Sequence, residues 1–387
     1  MSDKYLIGLT GNIATGKSII LRMLQELGAT TIDADKETRR LQRRGTAVYD
    51  KIVKKFGTFV LGKDREIDRT RLANIAFNDP EAMAALERIV HPAVRKRIDL
   101  LIKKAETPVV AIEAIKLLEG GLADVCDAIW VVSVPEDIQL HRLQTKRNMT
   151  VQQALLRIDA QPAQEEKFAR ADVVIDNSGS VIKTWTVVKR HFEAIGRVEA
   201  GPAPEPAPAP PVAVAPVEVT RIDLANLSLR RAKHGDLGLM AGLIKTATNG
   251  AIVRNEDEMM ENLFSKGYIL AEYGTHLLGL AGYKTENLIA GIDDFFVVHN
   301  NLWATVGNAL LQRVHELVGE LSCEVSLAFV NPHLGTVAEA FFAEHGYEKK
   351  KAEDLIRMWR EAAEAWYIEG STLMVKQLLE KRIMTPL

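Results

Sequence analysis

The stretch YLIGLTGNIATGKSIILRML, residues 5–24, decides the fold of the first half of this 387-residue chain. It places a glycine-rich loop between an apolar run and an amphipathic helical pattern, and the loop matches G-x-x-x-x-G-K-[ST] without a mismatch. Glycine lets the backbone fold around a phosphate so that N–H groups point inward, and the following helix adds the positive end of its dipole. The stretch therefore predicts a nucleoside triphosphate site, with a cradle formed by Gly11, Asn12, Ile13, Ala14, Thr15, Gly16, Lys17 and Ser18.

Four side chains near this loop have the chemistry of phosphoryl transfer. We expect Lys17 to contact the β- and γ-phosphates and the Ser18 hydroxyl to be a ligand of Mg²⁺. Asp33 and Asp35 follow the next apolar run, where a carboxylate can accept a hydroxyl proton or orient the metal. We interpret Asp33 as the catalytic carboxylate and Asp35, which precedes a helical pattern, as a helix N-cap.

Short apolar runs alternate with helical patterns over about the first 195 residues. The runs are rich in β-branched residues and nearly continuous in apolarity, as expected for strands that are buried on both faces. This alternation predicts an α/β fold, a parallel sheet covered by helices, with the ligand at the carboxyl ends of the strands. The predicted strands are residues 5–9, 30–33, 109–112, 128–134 and 172–176.

A proline-rich segment separates this part from a second one. Residues 202–216, PAPEPAPAPPVAVAP, predict an extended tether, because proline fixes φ and alanine has little to bury. We therefore expect a first domain over residues 1–198, a linker over 199–219 and a second domain over 220–387. The second domain reads as mixed α+β, with a β-hairpin centred on Gly274 and a helix from about Trp303.

The composition limits the partners and the compartment. A net charge of −2 provides no general attraction for nucleic acid or an anionic membrane surface. Only two cysteines are present, and no uninterrupted apolar stretch approaches the ~20 residues that span a bilayer. We expect a cytoplasmic protein that acts on small molecules, without nucleic-acid or membrane partners, and the oligomeric state stays open.

Several motifs, in their order and spacing, resemble those of the dephospho-CoA kinase family. They are GLTGNIATGKS, TIDAD, LERIVHP, QLHRL, RIDAQ and EEKFARADVVIDN, which together extend over residues 8–177. The resemblance implies ATP-dependent phosphorylation of the ribose 3′-hydroxyl of dephospho-CoA. It also implies a core like that of the nucleoside-monophosphate kinases, with a helical acceptor-binding insertion and a lid.

The resemblance assigns residues to the acceptor side. The stretch between Lys36 and Thr107 is too long for one crossover helix and is expected to form the insertion. His91 within it is an acceptor-binding candidate, although His91-Pro92 is equally compatible with a plain turn. Lys116 adds a charge near the acceptor where the family commonly has an uncharged loop. Glu113 either orients a ligand of the metal or is a buried cap.

The resemblance also assigns residues to the nucleotide side. Arg142 is expected to be catalytic, because a cation delivered by a lid stabilises charge on the transferring phosphoryl group. The family usually has a second arginine four places later, where this chain has Lys146, and Arg147 follows it. Both are candidates for nucleotide contact, and lysine lacks the bidentate fork. Asn177 is a further candidate for nucleotide binding.

Residues 227–379 resemble the GCN5-related N-acetyltransferase superfamily. The resemblance lies in LRRAKHGDL, IDDFFVV, VGNALLQRV, NPHLGTVAEAFFAEHGYEK and STLMVKQL. It implies that backbone N–H groups at a helix N-terminus bind the pyrophosphate of acetyl-CoA or CoA.

This second resemblance breaks down at the residues that carry the chemistry. Of the glycines in the pyrophosphate loop, only Gly307 is present, and Phe342 occupies the position of the usual tyrosine acid. Tyr347 is either a substitute acid or a core residue. We expect binding of CoA species with weak or no acyl transfer. Two alternatives stay open: a bifunctional kinase and N-acetyltransferase, and a phosphate-loop ATPase switch.

Overall fold

The computed structural model describes residues 4–62, 64–147, 149–196, 226–286, 288–321 and 323–379. The chain divides into two compact units, Met1–Ala200 and Gly201–Pro386, each with a sheet of its own. The expected linker, residues 199–219, lies outside the described residues.

The described part of the first unit is built on a five-stranded sheet in which every pairing is parallel. The predicted α/β architecture is confirmed, and each strand end lies within one residue of its predicted position. The strands are β1 (Tyr5–Thr10), β2 (Thr30–Asp33), β3 (Val109–Glu113), β4 (Ala128–Ser133) and β5 (Val173–Asp176), in the spatial order β2-β3-β1-β4-β5. Because β1 is central, the loop that follows it opens at the middle of the carboxyl edge.

The helices of this unit cover the sheet and form the insertion between β2 and β3. The insertion comprises α2 to α5, and its core includes the fully buried Ile52 and Ile98. The helices are α1 (Lys17–Glu26), α2 (Ala34–Leu41), α3 (Ala47–Phe56), α4 (Arg69–Asn78), α5 (Pro80–Lys104), α6 (Glu136–Arg147), α7 (Val151–Asp159), α8 (Gln164–Phe168) and α9 (Val181–Glu193).

Helix α5 continues through Pro92 for 25 residues, so the interpretation of His91-Pro92 as a turn is wrong. Proline inside a helix removes one hydrogen bond and costs about 3 kcal/mol. Burial of Val90, Val94 and Ile98 on the same helix offsets that cost, because each buried aliphatic side chain stabilises by about 1.5–3 kcal/mol.

The second unit is a mixed sheet flanked by helices, as predicted. Every strand pairing described is antiparallel except β9 with β10. The strands are β6 (Leu227–Arg231), β7 (Gly267–Tyr273), β8 (His276–Glu286), β9 (Ile289–Val297), β10 (Val325–Val330), β11 (Glu348–Lys349) and β12 (Thr372–Gln377), in the order β11-β12-β10-β9-β8-β7-β6. The helices are α10 (Leu237–Ala247), α11 (Glu256–Ser265), α12 (Asn308–Glu320), α13 (Gly335–Glu344) and α14 (Arg357–Ala365). The sequence patterns did not predict α11, β11 or α14.

A charged cluster is buried against β9. The Asp294 side chain, 1% exposed, accepts two hydrogen bonds from Arg254, at 2.7 and 2.6 Å, and one from Lys266 at 2.7 Å. The Tyr268 hydroxyl donates to the same carboxylate. Burial alone would raise the pKa of Asp294, but Lys266 and Arg254 outweigh it and hold the pKa well below its usual range. Lys266 also pairs with Asp293 at 2.8 Å, so both carboxylates are committed to ion pairs.

A buried histidine makes the stability of the second unit depend on pH. His315 Nε2 lies 2.8 Å from the Tyr347 hydroxyl, which donates to Ser326 Oγ at 2.7 Å. Burial, followed by the charges of Lys376 and His345, lowers the pKa of His315 to about 4. Between pH 6.5 and 4, His315 is therefore protonated in the unfolded chain but stays neutral in the folded chain. The contribution of neutral His315 is complete above pH 6.5 and is lost as the pH falls towards 4.

We expect acidification to speed hydrogen exchange in α12 more in the wild type than in His315→Gln, which cannot titrate. Exchange mass spectrometry at pH 7, 5.5 and 4.5, corrected for the intrinsic chemical rate, measures the difference between the two proteins. Parallel pH profiles would mean that His315 keeps an ordinary pKa in the folded chain.

Candidate functional site

In the loop of residues 11–18, two glycines adopt backbone conformations in which a β-carbon would clash with neighbouring atoms. Gly11 has φ 151° and a β-carbon there would lie 2.4 Å from the Val132 carbonyl oxygen. Gly16 has φ 92° and a β-carbon there would lie 2.2 Å from Asn177 Nδ2. Both glycines are therefore required, one by the end of β4 and one by a side chain that follows β5.

Two side chains from distant segments bind the carbonyl groups of this loop. Arg142 donates to Ala14 O at 3.2 Å, to Thr15 O at 3.3 Å and to Asn177 O at 2.8 Å. Asn177 Nδ2 donates to Thr15 O at 2.8 Å, while Thr184 Oγ1 donates to Asn177 Oδ1 at 3.1 Å. The structure thus brings Arg142 and Asn177, both expected at the nucleotide, onto one side of the loop. With these carbonyls bound, the loop can turn N–H groups other than that of Ile13 towards an anion.

Lys17 lies over the start of the loop. Its ammonium donates to Gly11 O at 2.9 Å and to Asn12 O at 3.1 Å. Burial lowers the pKa of Lys17, and the charge of Glu113 opposes that shift. A half-buried ammonium beside a cradle of N–H groups is suited to binding phosphate.

The acidic residues at the adjacent strand ends differ from the predicted arrangement in one respect. Asp33, not Asp35, is the N-cap of α2: it accepts the Lys36 N–H at 2.9 Å and forms an ion pair with Lys36 Nζ at 3.2 Å. The expectation that Asp35 caps this helix is therefore wrong. Asp35 is half-buried in the first turn, and burial, then the charge of Asp33, raises its pKa. Burial also raises the pKa of Glu113, which stands opposite Asp33 in the β2–β3 register.

The acidic residues and Ser18 provide oxygen atoms that can bind a metal ion on one side of the loop. The exposed Ser18 together with Asp33 and Glu113 lines a cavity of about 700 Å³. A hydroxyl and carboxylates are hard oxygen ligands, so the residues present fit Mg²⁺. Within the described residues, no group of three or more His, Cys, Asp or Glu side chains is placed to hold a metal ion by itself. A metal here would need phosphate oxygens to complete its shell.

The acceptor-side candidates lie on α5 and on the loop after β3. His91 is exposed and lines a cavity of about 470 Å³ with Arg95, Lys96 and Gly120. Lys116 is exposed and forms an ion pair at 3.4 Å with Glu87, one helical turn before His91. His91 and Lys116 therefore lie near the same stretch of α5, which exposes cationic side chains.

The lid candidates lie at the end of α6. Arg147 is the last residue of that helix, and its charge is among those that lower the pKa of Lys17. The side chain of Lys146 lies outside the described residues. Helix α7 follows at once and begins with a capping box in which Thr150 and Gln153 bind each other's backbone N–H groups.

One group of contacts at the loop was not found from the sequence. The segment between α7 and β5 contributes Gln161 and Lys167: Gln161 Oε1 accepts the Ile13 N–H at 2.6 Å, and Lys167 donates to Asn12 Oδ1 at 2.6 Å. Both lie in motifs that carried the family resemblance, but nothing in the spacing shows that they contact a loop about 150 residues earlier.

In the second unit, the expected pyrophosphate loop is helical. The chain forms a 3₁₀ turn at Asn300–Leu302 and a π-helical turn at Trp303–Gly307, which leads directly into α12. The predicted helix start near Trp303 agrees with the start of the π-helical turn, and the 3₁₀ turn extends the helical segment back to Asn300. Its first two N–H groups are those of Asn300 and Asn301, shortly after β9, whereas those of Leu302 and Trp303 donate to His299 O and Asn300 O.

The two candidate acids of the second unit lie in its core. Phe342 packs with its ring centroid 5.3 Å from that of Phe295 and 5.1 Å from that of Tyr347. Tyr347 is 3% exposed, donates to Ser326, and has its pKa raised by burial. The core interpretation of Tyr347 therefore fits the geometry better than that of an acid.

The chain is similar to known proteins over part of its length. Residues 5–183 match the family model for dephospho-CoA kinase. The dephospho-CoA kinase of Carboxydothermus hydrogenoformans is 43% identical over 182 residues, which are 46% of this chain and 88% of that protein. The solved dephospho-CoA kinase from Campylobacter jejuni is 27% identical and covers 50% of this chain and 97% of its own, with a TM-score of 0.39. A solved acetyltransferase of the GNAT family from Staphylococcus aureus Mu50 is 16% identical and covers 40% of this chain and 99% of its own, with a TM-score of 0.34.

The described helices include none that is both long enough and apolar enough to cross a membrane.

The close approach of Gly16 to Asn177 yields a matched pair of variants. Gly16→Ala and Gly28→Ala impose a side chain at similar φ values, 92° and 99°, but a β-carbon at Gly28 meets nothing within 4 Å. Both variants should lose stability by about 1 kcal/mol, because alanine is strained at positive φ. Only Gly16→Ala should also displace Asn177 and lose ATP binding, by tenfold or more. Thermal unfolding and calorimetric titration with Mg-ATP measure the two effects, and equal ATP affinity in both variants would contradict the proposed packing.

Proposed function

This chain belongs to the dephospho-CoA kinase family, and we propose that its first unit transfers the γ-phosphoryl group of ATP to the ribose 3′-hydroxyl of dephospho-CoA. The products would be coenzyme A and ADP. One observation carries the proposal: Ser18, the last residue of the phosphate-binding loop, lines one cavity together with the carboxylates that end β2 and β3. A phosphate donor and a hydroxyl acceptor can meet there within reach of a base.

The donor side follows from the loop. Backbone N–H groups and the Lys17 ammonium neutralise charge that develops on the phosphate oxygens. To do so, Lys17 exchanges its present carbonyl contacts for phosphate oxygens. Arg142, held on the loop carbonyls, and Arg147, at the end of the lid helix, supply further positive charge. Ser18 would be the protein ligand of Mg²⁺, which neutralises phosphate charge when it is bound.

The acceptor side follows from the strand ends and the insertion. Asp33 accepts the proton of the attacking 3′-hydroxyl or orients it for in-line attack. Its capping bond uses one oxygen, and the ion pair with Lys36, on the exposed side of α2, is the contact it can release. His91 and Lys116 bind the acceptor, whose phosphates suit a surface that also exposes Lys96. Asn177 positions the loop and the nucleotide together.

We propose a second, weaker function for the second unit, the binding of CoA or acetyl-CoA without efficient acyl transfer. Strands β9 and β10 pair as far as Ile292 and Ala328 and have no further pairing with each other, and the helical segment begins just after β9 ends. Backbone N–H groups there suit a pyrophosphate. Transfer also needs a base and an acid, but Asp293 and Asp294 are held in ion pairs and Phe342 has no proton to give.

The kinase proposal predicts different effects for the two aspartates. Asparagine caps a helix as well as aspartate does, so Asp33→Asn should keep α2 intact while it removes the charge. We expect kcat to fall by about 10²–10³, with little change in ATP affinity. Asp35→Asn, the matched control, should retain kcat within a few-fold. ADP release with and without dephospho-CoA is the readout.

Two outcomes of that assay would contradict the proposal. ADP release that does not require dephospho-CoA in the wild type would favour the ATPase switch. A full loss in Asp35→Asn together with an active Asp33→Asn would assign the base to Asp35.

For the second unit, acetyl-CoA added to the full chain should slow hydrogen exchange in the peptide that contains residues 300–307. We expect no amine-dependent release of thiol from acetyl-CoA, because the acid is missing. Rapid thiol release with small amines would establish the bifunctional enzyme. An unchanged exchange rate in this peptide would rule out CoA binding at this helix end.

A further inference from the structure

A lysine is buried beneath the phosphate-binding loop. Lys167 lies on α8, is 3% exposed, and donates to Asn12 Oδ1 at 2.6 Å. Asn12 is the residue after the first loop glycine and is itself 5% exposed. Burial of an ammonium group costs several kcal/mol even after relaxation, and a neutral amide oxygen repays only part of that cost.

The contact with Lys167 is one of three that hold adjacent loop residues from the same side. Asn12 Nδ2 donates to Pro162 O at 3.1 Å, and the Ile13 N–H donates to Gln161 Oε1 at 2.6 Å. Lys167 thus provides a partner for the carbonyl oxygen of the Asn12 side chain, and Pro162 provides one for its NH₂ group. Hydrogen bonds from residues 161–167 therefore hold Asn12 and Ile13, the first residues after Gly11, in place.

Two ammonium groups also meet at Asn12. Lys17 Nζ donates to the backbone oxygen of Asn12 at 3.1 Å, and Lys167 binds its side-chain oxygen. Burial lowers the pKa of Lys167, and the charge of Lys167 is among the causes that lower the pKa of Lys17. The carboxylates that act on Lys167 are those of Glu119 and Glu166, both exposed and therefore screened by water. The positive charge at Asn12 is complementary to a triphosphate.

We propose that Lys167 is a positioning residue for ATP: through Asn12 it holds the loop in its phosphate-binding shape, and its buried charge strengthens the field in the cradle. The inference rests on the ATP site of the proposed function and adds a residue outside the loop to it. Lys167 contacts neither reacting group, so its effect should appear in ATP binding and not in the affinity for the acceptor.

The test compares Lys167→Met, which keeps the length of the side chain without its charge, with Lys167→Arg, which keeps the charge. Arg170→Met is the matched control, because it removes an exposed cation from the turn that follows α8. We expect Lys167→Met to raise KM for ATP by about 10- to 100-fold, the effect of one charge-assisted hydrogen bond. KM for dephospho-CoA should stay within twofold, Lys167→Arg should recover part of the loss, and Arg170→Met should behave as the wild type.

A second variant makes the test independent of whether Lys167→Met folds. Asn12→Ala removes the acceptor and leaves Lys167 in place, and it should raise KM for ATP in the same way. In the double variant the two effects should not add. The inference is overturned by an unchanged KM for ATP in Asn12→Ala or Lys167→Met, by additive effects, or by equal rises in both KM values. An inactive wild type would instead refute the proposed function.

Discussion

The first unit depends on one constraint: the backbone of residues 11–18 must present its N–H groups to an anion. Such a loop has carbonyl groups that point outward and would lose bonding partners in a dry interior. Arg142 and Asn177 satisfy the carbonyls of Ala14 and Thr15, and residues 161–167 bind Asn12 and Ile13. The loop is therefore shaped by segments that follow it by more than a hundred residues, and those segments are the ones that resemble the kinase family.

Charge around the loop is arranged at some cost to stability. Lys17 and Lys167 are partly or wholly buried, and burial lowers the pKa of each. On the other side, burial raises the pKa of Asp35 and Glu113. Perturbed cations beside perturbed carboxylates are typical of a site that moves protons and stabilises phosphate. The Asp294 cluster of the second unit differs from this arrangement, because its opposite charges are in direct contact and neutralise each other. Such a cluster is mainly structural.

The second unit has a sheet and a helix end that could bind an anion. The two side chains considered as the acid for acyl transfer, Phe342 and Tyr347, are buried in its core. Phe342 and Tyr347 pack against each other, and Leu302, Trp303 and Val306 bury the turn that the family resemblance assigns to pyrophosphate. The π-helical turn at Trp303–Gly307 accommodates this packing by continuing α12 towards β9. Backbone N–H groups need no particular side chain, which is why we propose anion binding, and not acyl transfer, for this unit.

The sequence by itself determined the strands of the first sheet and the position of the glycine-rich loop between β1 and α1. Continuous apolar runs predict buried strands, and the glycine pattern predicts a backbone turn. Both can be recognised from neighbouring residues alone, without knowledge of long-range contacts. Only the tertiary structure decided that α5 passes through Pro92. It alone placed Lys167 on Asn12, 155 residues away in sequence. Each of these depends on a contact whose free energy exceeds the local preference, and such a contact exists only once the chain has folded.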